Sequence, residues 1–257
     1  MPIQALFCDL DETLAADSES TRLSLDRVIP DILSRYPGLL YEKIFTTFKQ
    51  LNNRHWEHFE ESPLKHLLDP LEVRTLIWNE VFDAMNIHDP PLASRIAERF
   101  QRARMETYRC YEDTIPVLNA LHGKIRIILV TNGNSRMQRD KIEVCGLQPY
   151  LDEIFIAQEV GLSKPDRRIF DLALEAANAA PETVLMVGDH PVKDILGANE
   201  AGCRTAWMRR NPVKPSTLDP QPDYRVYSME DVFKIIERSC PEPNGLGLLL
   251  TASEKTA

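Results

Sequence analysis

Two hydrophobic periodicities alternate along the chain. Short apolar runs rich in β-branched residues occur at Ile3 to Cys8, Ile125 to Val130, Ile154 to Ala157, Val184 to Val187, Thr205 to Met208 and Tyr224 to Val226. Each reads as a strand, and longer stretches with apolar residues at helical spacing separate them. From Ile125 onward the runs recur roughly every 20 to 30 residues, the length of one strand, one crossover helix and two short loops. The alternation predicts an α/β fold, a doubly wound parallel sheet forming a Rossmann-like core. Helix punctuation agrees: Asn134 or Ser135 is placed as an N-cap, Gly146 as a C-cap after Val144 and Cys145, and Pro165 near a first helical turn.

The first strand stands more than a hundred residues ahead of the others, and the stretch between holds no strand pattern. Its apolar positions fall instead at helical spacing, in Leu25, Val28, Ile29 and Ile32, in Phe45, Phe48 and Leu51, in Leu71, Val73, Leu76 and Ile77, and in Leu92, Ile96 and Phe100. About four helices are implied. The predicted organisation is a core of residues 1–15 and 110–239, a helical insert of 16–109 forming a four-helix bundle, and a tail of 240–257. An insert leaving the end of the first strand is expected to act as a lid over the carboxyl edge of the sheet, where open α/β folds bind ligands. The tail, with two prolines, two glycines and the short run Leu246 to Leu250, reads as poorly ordered or as a packing arm.

Composition narrows the function classes. The 257 residues suffice for one large domain or for a body with a second small unit, and 43% hydrophobic with 27% charged residues is an ordinary globular balance. Thirty basic against 39 acidic side chains leave a net charge of −9, which disfavours a nucleic-acid polymer as partner but allows a local pocket for a small phosphate. Cys8, Cys110, Cys145, Cys203 and Cys240 are widely spaced, without zinc-site grouping, and are expected to be reduced and mostly buried. Met1 to Gln4 carry no basic leader and the following apolar run is short, so a cytoplasmic protein with no membrane association is expected.

The first strand runs into Asp9-Leu10-Asp11-Glu12-Thr13. Two carboxylates at the end of a buried strand are unfavourable unless a metal or a cation satisfies them, and a hard divalent ion fits best; an acidic turn capping a helix is the alternative. A second acidic group, Gly188-Asp189 with Asp194, follows another strand. Alone it reads as a turn with a capping aspartate, but strand ends of one parallel sheet bring all four acids to the same edge. Clustered acids require cations beside them. Thr131, Asn132 and Gly133 close a strand with a hydroxyl, an amide and backbone N–H groups at a helix start, and Lys164 stands in a loop before Pro165. Taken singly, these read as an ordinary helix start and a solvated lysine.

In chain order these motifs are strand-Asp-x-Asp-x-Thr, strand-Thr-Asn, loop-Lys-Pro and strand-Gly-Asp-x-x-x-x-Asp. The order resembles the haloacid dehalogenase-like hydrolase superfamily from Ala5 to about Val226, and the insert is similar to that superfamily's helical cap of the first type. The resemblance implies that Asp9 is a nucleophile forming an aspartyl-phosphate and that Asp11 is the acid for the leaving oxygen and then the base for water. It further implies that Thr131 and Asn132 contact the phosphoryl oxygens, that Lys164 balances their charge, and that magnesium is held by Asp9, Asp11 through its carbonyl, Asp189 and Asp194. A carboxylic acid at Asp11 suits an alkoxide leaving group, whereas a halide needs no proton. A phosphatase acting on a small phosphorylated metabolite, such as a sugar phosphate or nucleotide, is therefore expected, with a phosphomutase or a dehalogenase as alternatives. A phospho-accepting signalling module with little turnover uses similar groups but is shorter and lacks an insert.

In the insert, Arg54 and Trp56 are candidates for reading the substrate, against the plainer reading that Trp56 and Phe59 belong to its core and Arg54 is solvated. The wording around His55-Trp56 and Gly188 is loosely similar to phosphatases of sialic acid 9-phosphate and of pyrimidine nucleotides. The protein is expected to be a monomer or homodimer.

Overall fold

The computed structural model describes residues 1–210 and 220–239. The expected tail, 240–257, lies outside the described residues. In chain order the elements are β1 (Ala5–Cys8), α1 (Asp17–Arg35), α2 (Tyr41–Glu57), α3 (Pro70–Ala84), α4 (Pro90–Thr107), α5 (Thr114–Leu121), β2 (Arg126–Thr131) and α6 (Ser135–Val144). There follow β3 (Glu153–Ile156), α7 (Ala157–Val160), α8 (Arg167–Ala177), β4 (Val184–Gly188), α9 (Gly197–Glu200), β5 (Arg204–Met208), β6 (Tyr224–Val226) and α10 (Met229–Ser239). The four insert helices expected from apolar spacing are α1 to α4.

The six strands form one parallel sheet in the order β3-β2-β1-β4-β5-β6. This is the doubly wound α/β fold expected from the alternating periods. Every residue of β1 and β4 is buried, which explains why these strands read as unbroken apolar runs: a central parallel strand is covered on both faces. One face packs Phe7, Ile128, Val130 and Met186 against Ile169, Phe170 and Ala173 of α8. The winding reverses between β1 and β4, and in such sheets the crevice at the carboxyl ends on either side of that reversal is the ligand position.

The chain divides into two compact units, one of Met1–Ala15, Cys110–Thr131 and the chain from Leu147 on, the other of Ala16–Arg109 and Asn132–Gly146. The second unit thus takes in α6. Met137 of α6 belongs to the helical core with Leu92 and Phe100, and the Asn134 amide donates to Leu67 O at 2.6 Å. At the centre of this unit Phe48 lies 4.9 Å from both Trp78 and Phe100. Burying each such ring contributes roughly 1.5 to 3 kcal/mol. Two of its helices start alike: Asp69 accepts from the N–H of Leu71 ahead of Pro70, and Asp89 from that of Leu92 ahead of Pro90. Each aspartate satisfies an orphan donor while the proline, whose missing N–H costs nothing there, presets the helical φ. No helix among the described residues is long and apolar enough to cross a membrane. Cys8 and Cys203 are buried and, with Cys110 and Cys145, carry no disulfide.

At the start of α1, Asp17 is held by the buried Arg104 and by Lys141 of α6, whose Nζ lies 2.9 Å from its carboxylate. Burial would raise this carboxyl, but Arg104, Lys141 and then Arg74 outweigh it and hold it well below the ordinary carboxylate range. A lowered folded pKa contributes stability that is present above the unfolded value near 3.8 and is lost as pH falls through the folded value. Asp17→Asn should therefore cost roughly 1.5 to 3 kcal/mol at pH 7, the range for hydrogen bonds to charged groups. The gap in melting temperature between wild type and variant, followed by calorimetry, should narrow below about pH 4 as the wild type loses its advantage.

Candidate active site

β1 leads directly from hydrocarbon into charge. Cys8 pairs in register with Leu129 of β2 and Val187 of β4, and Asp9, one residue on, donates its backbone N–H to Val187 O at 2.9 Å. Thr131 ends β2 and is buried, while Asp189 follows the last residue of β4. The sheet order makes these three strand ends adjacent.

Lys164 supplies the fixed cation. It is 3% exposed, and its Nζ donates to Asp9 Oδ1 at 2.7 Å and to Asp194 Oδ1 at 2.6 Å. Asp194, 1% exposed, lies in the π-helical turn Pro191–Leu196 after β4, and its other oxygen accepts the His190 N–H at 2.9 Å. Gly188 admits that carboxylate, because a Cβ at position 188 would overlap the Asp194 carboxyl group. Asp9, Asp189 and Asp194 each bring one carboxylate oxygen into a group spanning no more than 4.8 Å.

Three carboxylates thus face one ammonium in a buried volume. Burial pushes the Asp9 carboxyl up to about 7, with the neighbouring Asp194 and Asp11 adding to the effect and Lys164 opposing it. Burial, then Asp9, Asp194 and Glu12, hold Asp189 well above the usual carboxylate range. Burial works against the charge of Lys164, but Asp194 and Asp9 outweigh it and raise its pKa. The group is short of positive charge, and its donors are all hard carboxylate oxygens, so the residues fit a divalent cation of the magnesium type. The Cys8 thiol beside Asp9 is pushed up by burial and stays protonated.

Asp11 lies half-buried in the turn Leu10–Ala15, where Glu12 adopts the left-handed region with φ 58°. Asn132, next after Thr131, is half-buried and opens the segment that groups with the helical unit. Arg54 is exposed on α2 with its guanidinium 2.9 Å from Glu80 of α3, and the same carboxylate lies 2.8 Å from His55 Nε2. Trp56 is half-buried, stacked on Phe59 at 5.5 Å, and donates from its indole to Asn52. Both make these contacts within the helical unit. Sequence reasoning missed Arg210, Tyr111 and Asp113, which surround the turn bearing Asp11. The adjacent Arg209 and Arg210 just past a strand were the available signal.

Residues 3–202, most of the chain, match the family model described as haloacid dehalogenase-like hydrolase. The chain belongs to the haloacid dehalogenase-like hydrolases. Relatives of this hydrolase include the pyrimidine 5'-nucleotidase YjjG of Escherichia coli, 32% identical over 79% of this chain and 84% of the relative. The N-acylneuraminate-9-phosphatase of Rattus norvegicus is 27% identical over 91% and 94%. The phosphoserine phosphatase of Thermus thermophilus is 39% identical over 56% of this chain, which spans 57% of that protein's length. Magnesium-bound YfnB from Bacillus subtilis shares the fold with a TM-score of 0.72 at 22% identity, covering 92% and 99% of the two chains.

Because a Cβ at position 188 would overlap the Asp194 carboxyl group, Gly188→Ala should displace this carboxylate from Lys164. We expect a melting temperature lower by several degrees, the response to about 1 to 3 kcal/mol of overpacking. Mn2+ affinity, read by paramagnetic relaxation, should also weaken at least tenfold.

Proposed function

We propose that this hydrolase is a magnesium-dependent phosphatase that cleaves phosphomonoesters of small soluble metabolites. The observation that carries the reading is the Lys164 ammonium bridging Asp9 and Asp194 beside Asp189, at the sheet edge that also holds Thr131. The names of the relatives, a nucleotidase and phosphatases of a sugar acid and an amino acid, support it.

In this reading an Asp9 carboxylate oxygen attacks phosphorus. An O–P bond forms to Asp9, the bond from phosphorus to the ester oxygen breaks, and Asp11 delivers its proton to the departing alkoxide. Asp11, now a carboxylate, takes a proton from water as that water attacks phosphorus and releases phosphate, regenerating Asp9. Lys164 favours the ionised form of Asp9 against burial and stands where charge gathers on the phosphoryl oxygens, with the Thr131 hydroxyl and Asn132 as further donors. Magnesium, when held by the carboxylates of Asp9, Asp189 and Asp194 with the Asp11 carbonyl, supplies electrostatic stabilisation of the phosphoryl group. Arg54 and Trp56 of the helical cap are the proposed readers of the rest of the substrate. The acid at Asp11 favours an ester over a haloacid, since a departing halide needs no proton.

Phosphate release from a panel of sugar phosphates, nucleoside monophosphates and phosphorylated hydroxy acids with Mg2+ tests the reading. Asp9→Asn should abolish turnover, and a chelator should stop the wild type. Equal rates for wild type and Asp9→Asn would overturn it. Lys164→Met should lower kcat by about 100- to 1,000-fold, the loss seen when one donor to a developing negative charge is removed. A kcat within threefold of wild type would remove Lys164 from its assigned role.

A further inference from the structure

The turn that carries Asp11 is anchored at each of its carbonyls from Thr13 to Ala15. Within the turn, Glu12 N–H donates to Ala15 O at 2.8 Å, and the N–H groups of Leu14 and Ala15 share Leu10 O at 3.0 Å each. Leu14 O accepts from Tyr111 N at 3.1 Å and from Thr114 Oγ1 at 2.8 Å. Thr13 O accepts from Arg210 Nε at 2.9 Å, a contact 197 residues away in the chain. The turn needs such anchoring because Glu12 sits at φ 58°, a conformation that costs a side-chain-bearing residue on the order of 1 to 2 kcal/mol.

Arg210 reaches the turn by two routes and is anchored by a third contact. Besides the bond to Thr13 O, its two terminal nitrogens grip the Asp113 carboxylate at 2.8 and 3.1 Å, and Asp113 precedes α5 and also accepts the Met229 N–H at 2.8 Å. The guanidinium lies 3.8 Å from the centre of the Tyr111 ring, and the Tyr111 hydroxyl donates to Glu12 Oε2 at 3.2 Å. The Arg210 side chain is 9% exposed. One planar group with donors on three sides serves all these contacts at once, which an ammonium on a flexible stem cannot do.

We propose that Arg210 is a positioning residue that fixes the Leu10–Ala15 turn and thereby aims Asp11. It acts through Thr13, Tyr111 and Glu12. The effect on turnover rests on the phosphatase reading, whereas the effect on the turn does not.

The test compares Arg210→Lys and Arg210→Ala with wild type by amide hydrogen exchange and by steady-state kinetics with Mg2+ and a hydrolysed phosphomonoester. In both variants, protection of the Glu12, Leu14 and Ala15 amides should fall at least tenfold while that of Leu185 to Val187 in β4 stays unchanged. The kcat should drop about 100-fold, the scale of a misplacement near 1 Å, with KM within threefold, and millimolar guanidinium should restore part of the rate to Arg210→Ala. Unchanged turn protection, or loss of protection in β4 to the same degree, would overturn the proposal, as would a loosened turn with an unchanged kcat. If Arg210→Ala does not fold, Arg210→Lys decides. Should the wild type hydrolyse no ester, the phosphatase reading fails and exchange alone judges whether Arg210 holds the turn.

Discussion

One buried ammonium bridging two carboxylates is the constraint on which the site depends. Two acids a few ångströms apart in a volume shielded from water do not both ionise unless a cation lies between them. Lys164 is the cation placed between Asp9 and Asp194, and it leaves Asp189 over. The group is consequently built with a deficit of positive charge, which gives it an appetite for a hard cation. The surrounding fold serves this arrangement: adjacent strands bring Asp9 and Asp189 to one edge, Gly188 removes the side chain that would occupy Asp194's place, and the His190 amide takes Asp194's second oxygen.

Such an arrangement is costly to keep without its complement. Burying charge is tolerated where every oxygen and proton has a partner, and removal of one member of such a pair strands the other. The upward displacement of Asp9 and Asp189 has the direction that this tension requires. A fold optimised for stability alone would place an apolar residue here, as β1 does from Ala5 to Cys8 and β4 from Val184 to Val187.

Much of this was legible in the chain because the relevant signals are local. An apolar run leading into Asp9, and another leading into Gly188-Asp189, announce both the strands and the anomaly of charge at their tips. The insert helices declared themselves through apolar spacing and through the Asp69-Pro70 and Asp89-Pro90 starts. Strand order was not legible in residue patterns, because periodicity says which residues are buried and not which strand lies beside which. Lys164 stood out only through resemblance to a family, since a lysine before a proline is ordinary. The pairing of Arg210 with Asp113, across 97 residues, and that of Arg104 with Asp17, across 87, could not be read because charges carry no period that names a distant partner. Arg54 and Trp56, conspicuous as a cationic and aromatic pair, are held by Glu80, Phe59 and Asn52 within the helical unit.

The way the insert joins the sheet has a consequence for how such chains change. Ala15 and Cys110 pair as an antiparallel bridge, and Ala16 donates to Arg109 O at 3.0 Å, so the departing and returning strands of the connection run side by side. To the six-stranded body, the ninety-odd intervening residues are equivalent to a tight hairpin whose ends are already clamped. Lengthening, shortening or replacing what lies beyond that clamp adds little closure entropy to the folding of the body, since the cost grows only with the logarithm of the excursion. The six-stranded body and the excursion are therefore free to diversify at different rates.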